Sequence, residues 1–122
     1  MQDYLKYQFI TNDDGTGTLF CYTLEERLAR IPATVAGFKM TAIGRWAFYY
    51  RGDCRDRVPL EQVEFEEGYT EVYHGAFFGC GNLKRILLPS TIEKIYGDPF
   101  VGCDALEDIS FPNGNYRFTF EN

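Results

Sequence analysis

Residues 60–82, LEQVEFEEGYTEVYHGAFFGCGN, and residues 83–105, LKRILLPSTIEKIYGDPFVGCDA, align without a gap. Leu60 falls over Leu83, Val63 over Ile86, Phe65 over Leu88, Val72 over Ile95, Tyr73 over Tyr96 and Phe77 over Phe100. Gly79-Cys80 falls over Gly102-Cys103. A third copy starts on schedule with Leu106, Ile109 and Phe111 and loses the pattern at Asn113-Gly114-Asn115. Upstream, Ile31-Pro32 answers Leu88-Pro89, while Ile43 and Ala47-Phe48 answer Val72 and Ala76-Phe77. Residues 28–59 therefore form an irregular first repeat, with insertions at Ala36 to Met40 and around Arg51 to Arg57.

Each copy reads L-x-x-I-x-L, a half-buried strand, followed by a turn, a second short apolar segment and a compact A-F-x-G-C turn. A period of 23 residues lies within the leucine-rich range. One such unit has no way to bury its apolar face alone. Copies must stack, and the expected fold is mainly β: a short right-handed leucine-rich-repeat solenoid with parallel strands about 4.8 Å apart on its concave face. The predicted strands 60–65, 83–88 and 106–111 are neighbours, with Val63, Ile86 and Ile109 stacked inward.

The ends of the array need covering. Tyr4 to Thr11 and Thr18 to Thr23 are strand-like and flank Asn12-Asp13-Asp14-Gly15, a hairpin signal, so residues 1–27 read as an N-terminal β-hairpin cap. Thr23-Leu24-Glu25-Glu26 fits a capping box that opens one helical turn. Residues 106–122 read as a half repeat and C-terminal cap, in which Tyr116, Phe118 and Phe120 alternate like one more strand folded over the last copy. At 122 residues the whole is one domain.

Charge tests the register, because residues at equal offsets lie one coil apart. Glu61, Lys84 and Glu107 form one outward column, Gln62, Arg85 and Asp108 another, and Glu71 falls over Lys94. Residues 28–59 carry six bases and two acids, net +4, whereas residues 60–82 carry Glu61, Glu64, Glu66, Glu67 and Glu71 with no base, net -5. Neighbouring coils thus attract. The net charge of -6 and pI near 4.7 oppose phosphate tracking, so no nucleic acid is expected as partner. The apolar runs are only a few residues long, which argues against membrane insertion. Met1 to Phe9 alternates polar and aromatic residues and does not read as a signal peptide. The expected location is cytoplasmic if Met1 is the native start, and cell-surface or secreted if an export signal was removed.

Ile31-Pro32, Ala47-Phe48, Ala76 to Cys80, Leu83 to Ile92 and Phe100 to Cys103 together resemble the BspA-type leucine-rich repeats, over roughly residues 28 to 112. Gly68 and Thr91 stand where the better-known leucine-rich pattern places Asn or Cys, which favours the BspA type. The resemblance implies a protein-contact function: many members are bacterial or protozoan surface proteins implicated in adhesion to host proteins, and no catalytic site is typical.

The expected function is accordingly a noncatalytic protein-binding module, not an enzyme, with a protein partner and no cofactor. Its contact surface is the outward side of the concave strands, Gln62, Glu64, Arg85, Leu87, Asp108 and Ser110, with Leu87 as an apolar centre amid polar neighbours. Two other readings stand beside it. Arg51-Gly52-Asp53 is the tripeptide integrins recognise, its aspartate suited to a receptor-bound cation and its arginine to receptor carboxylates; the alternative is a salt-bridged polar loop. An exposed end strand would make the chain a self-associating scaffold. Cys54, among arginines at 51, 55 and 57, is the expected reactive thiol, whereas Cys80 and Cys103 follow a buried phenylalanine and read as inert. With His74 as the one histidine and no C-x-x-C pair, no metal site is expected.

Overall fold

The computed structural model describes residues 7–22, 26–49, 60–110 and 119–121. They contain eleven strands and no helix. Each L-x-x-I-x-L segment enters one sheet: β3 (Leu28–Ile31), β6 (Gln62–Phe65), β8 (Arg85–Leu87) and β10 (Asp108–Ser110) lie side by side and parallel. Each second apolar segment enters another: β5 (Phe38–Ile43), β7 (Glu71–Val72), β9 (Lys94–Tyr96) and β11 (Thr119–Glu121) are also parallel neighbours. The chain alternates between the two sheets, and each alternation is one coil of a solenoid. The expected parallel strands are thus present, and the segments read only as short and apolar build a second sheet opposite them.

Val63, Ile86 and Ile109 are in register, as the 23-residue alignment requires. Val63 and Ile86 are wholly buried, whereas Ile109, in the end strand, is 39% exposed. Leu28 pairs with Gln62, 34 residues on, so the first coil is longer than one repeat. Part of that excess is β4 (Thr34–Val35), which turns back on β5 through Ala36 and Gly37 at φ 53° and 86°. Positive φ at both central residues is the hairpin turn whose twist suits strands. The expected insertion at Ala36 to Met40 is therefore this turn plus the start of β5.

The expected hairpin forms between β1 (Tyr7–Thr11) and β2 (Gly17–Tyr22). Its turn closes with Asn12 N–H donating to Thr16 O (2.7 Å), and Asp14 accepts from the Thr16 hydroxyl (2.6 Å) and N–H (3.0 Å). Those bonds favour the carboxylate and hold Asp14 below its ordinary pKa. β2 also lies parallel on β5, so the hairpin continues the second sheet. β11, from the stretch expected as one more strand over the last coil, pairs with β9, Phe120 beside Ile95. Thr23, Leu24 and Glu25 of the expected capping box, the Arg51 to Arg57 segment and the 111–118 stretch fall outside the described residues.

Between the sheets the repeat stacks its aromatic residues. Phe48, Phe77 and Phe100 form a ladder with centroids 5.0 and 5.8 Å apart and planes within 21° and 11° of parallel. Phe65 meets Phe48, Phe77 and Tyr69 edge-on. Such pairs contribute about 0.5–1.5 kcal/mol each beyond burial. The buried Tyr69 keeps its hydroxyl satisfied by donating to Pro32 O (2.7 Å).

Candidate functional site

On β6, β8 and β10, alternation sends Val63, Phe65 and Ile86 inward and the intervening residues outward. All six contact residues expected from the sequence therefore share one face. Gln62, Arg85 and Asp108 make one row across the strands, and Glu64, Leu87 and Ser110 the next. β3 extends both rows with Leu28 beside Gln62 and Arg30 beside Glu64, two residues the sequence reading did not include. The repeat period concealed them, because their partners stand 34 residues away instead of 23.

Ion pairs hold this face together. Arg85 Nε lies 3.6 Å from Asp108, and Arg30 reaches Glu64 at 3.0 Å and Glu66 at 3.8 Å. All are exposed pairs, worth about 0.2–1 kcal/mol each, and their main effect is to fix side-chain direction. Leu87 sits half-buried between Glu64 and Ser110 as an apolar spot within a polar lattice.

The acids of the second repeat are bound to their neighbours. Glu66 accepts from Ala33 N–H (3.0 Å), and Glu67 accepts from Ser90 N–H (3.0 Å) and its hydroxyl (2.7 Å). Glu71, aligned with Lys94, accepts from Tyr73 (3.0 Å) and Tyr96 (3.4 Å), whose rings stack at 4.6 Å. Glu64, Glu66 and Glu67 thus bridge coils, which is the structural use of the acidic run.

The Cys80 thiol donates to Phe48 O (3.3 Å), and the Cys103 thiol, one repeat on, donates to Phe77 O (3.2 Å). Burial pushes Cys80 up to about 12 and Cys103 up to about 11, so both hold their protons at neutral pH. Neither is in a disulfide. His74 Nδ1 accepts from Asp98 N–H (3.0 Å), and its ring stands edge-on to Trp46. Among the described residues no group of three or more His, Cys, Asp or Glu is placed to hold a metal ion. Arg51, Gly52, Asp53 and Cys54 lie outside the described residues.

Two parallel sheets joined coil by coil, with a leucine-rich strand in each coil, define a leucine-rich-repeat protein. The family model for the BspA type leucine rich repeat region, in 6 copies, matches residues 31–121, and the chain belongs to that family. Among solved structures, a leucine rich cell surface protein from Faecalibacterium prausnitzii A2-165 is 31% identical, with a TM-score of 0.75 over 94% of this chain and 30% of its own. A leucine-rich repeat protein from Bacteroides capillosus ATCC 29799 is 25% identical, with a TM-score of 0.69 over 96% of this chain and 95% of its own. The T. pallidum leucine rich repeat protein, 24% identical, shares the fold with a TM-score of 0.77 over 93% of this chain and 51% of its own. The chain thus spans about a third of the first of these proteins and half of the third. No curated protein gives a significant match. Leucine-rich repeats of this kind are protein-interaction modules and typically noncatalytic.

Proposed function

We propose that this chain is a noncatalytic protein-binding module of the cell surface, and that the outer face of β6, β8 and β10 is its contact surface. The carrying observation is the pair of rows Gln62-Arg85-Asp108 and Glu64-Leu87-Ser110 on one unbroken parallel sheet, with Leu87 at the centre. An ion-paired surface gives a partner fixed directions to read, and a half-buried leucine within it supplies the apolar anchor around which contact energy concentrates. The surface location draws on the Faecalibacterium prausnitzii relative, described as a leucine rich cell surface protein.

The test measures affinity for a purified partner. Leu87→Ala or Arg85→Ala is expected to weaken binding about tenfold or more, equivalent to about 1.4 kcal/mol, while Asp53→Ala leaves it unchanged. Loss confined to Asp53→Ala, together with dependence on divalent cations, would transfer the contact to the Arg51-Gly52-Asp53 segment.

A further inference from the structure

The two sheets end unevenly. Beyond β5 the second sheet continues through β2 and β1, whereas among the described residues the first sheet has no strand beyond β3 on that side. On β3, the carbonyls of Arg27 and Ile31 face β6, accepting from Glu61 and Gln62 N–H (2.8 and 2.9 Å) and from Glu66 N–H (3.0 Å). Strand alternation therefore turns the N–H and C=O groups of Leu28 and Arg30 away from β6. Among the described residues no strand pairs with that side.

Sheet edges are usually blunted by bulges, lysines or prolines. β1, the end strand of the second sheet, has such a bulge between Gln8 and Phe9. β3 has no bulge: its register with β6 is unbroken, and its one charged residue, Arg30, is turned toward Glu64 and Glu66. Leu28, at 67%, is the most exposed large apolar side chain among the described residues. A cavity of about 350 Å³ adjoins this end, lined by Tyr7, Pro32 and Val35 as apolar walls and by Arg30 and Glu66.

The outward columns specify what fits. Arg27, Glu61, Lys84 and Glu107, linked by backbone hydrogen bonds from each to the one before, alternate in sign, so the next place beyond Arg27 calls for an acid. Arg30 already meets two acids, Glu64 and Glu66, so the unmet demand falls on Arg27. We propose that the edge of β3 that no described strand pairs with takes an extended peptide of a partner protein as an added strand, with an acidic side chain beside Arg27 and apolar ones toward the Tyr7-Pro32-Val35 cavity. Main-chain hydrogen bonds supply the affinity, and the spacing of acid and apolar side chains supplies the specificity. This edge borders the outer face, whose rows Leu28 and Arg30 extend, but the inference does not rest on that face as a contact surface.

The probe is the synthetic octapeptide LEQVEFEE, residues 60–67, which places acids and apolar residues in the order that β3 accepts from β6. Labelled peptide titrated with the full chain is expected to bind saturably, and the Leu28 and Arg30 amides, fast to exchange in the free protein, are expected to slow on binding. Leu28→Pro removes an edge N–H that β6 does not use and is expected to weaken binding about tenfold or more, whereas Leu28→Thr, which keeps that N–H, binds as the parent does. If Leu28→Pro fails to fold, the amide exchange of the parent protein decides alone. Absence of saturable binding, indifference to Leu28→Pro, or amides already protected in the free protein would each overturn the proposal. Leu87→Ala is expected to leave peptide binding unchanged; a loss there would move the peptide to the outer face and equally overturn it.

Discussion

Cys80 and Cys103 occupy equivalent positions one repeat apart and differ in how deeply they are set. Burial dominates both shifts and is the stronger at Cys80, giving about 12 against about 11. Alkylation proceeds through the thiolate and needs access to the sulfur, and both are more restricted at the more deeply buried Cys80. Iodoacetamide labelling of the native protein, followed by mass spectrometry, is expected to modify Cys103 faster than Cys80, with both far slower than after denaturation. At this scale the sequence was a good guide to burial, because the phenylalanine preceding each A-F-x-G-C or P-F-x-G-C turn had to point inward. It was a poor guide to the acids. The bonds of Glu66 to Ala33 and Glu67 to Ser90 cross between coils, and no residue spacing marks which backbone N–H faces which carboxylate.

Among the elements, the turn between the sheets carries the most constraint. Trp46 N–H donates to Gly75 O (3.2 Å), and Gly75 N–H to Asp98 O (3.1 Å), so the turns form their own ladder along the array. Trp46 and Gly75 occupy the same place in successive coils and share a left-handed backbone, φ 61° and 73°. Glycine enters that conformation freely, whereas any other residue incurs roughly 1–2 kcal/mol of strain. A Cβ on Gly75 would also lie 2.6 Å from Cζ3 of the Trp46 indole. Gly75→Ala is expected to destabilise by about 2 kcal/mol or more in urea unfolding, and by less when Trp46→Ala removes the clash. The leucine-rich strands were legible from their period, but the second sheet was not. β7 has two residues, too few to show alternation, and its strand character comes from pairing with β5 and β9. The β4–β5 turn escaped for a related reason: Ala36-Gly37 lacks the Asn-Gly or Asp-Gly signature that marks such turns.

For the molecule as a whole, position along the array decides what a given substitution does. Ile86 is wholly buried with a coil on either side, whereas Ile109 belongs to the last described strand of its sheet and is 39% exposed. An aspartate at residue 86 would be an unpaired charge with no route to water, and Ile86→Asp is expected to cost more than about 4 kcal/mol, enough to unfold a marginal domain. Ile109→Asp, chemically the same change, is expected to cost at least about 2 kcal/mol less, because its side chain can turn toward solvent. Urea midpoints of the two variants check the difference. The same serial construction has a mechanical consequence. Hydrogen bonds between coils run along the axis of the stack, so tension applied along that axis loads one interface at a time. A peeled repeat of 23 residues releases roughly 80 Å of extended chain at about 3.4 Å per residue, and the coils that remain still have their own neighbours, so the stack yields stepwise, like a ratcheted tether.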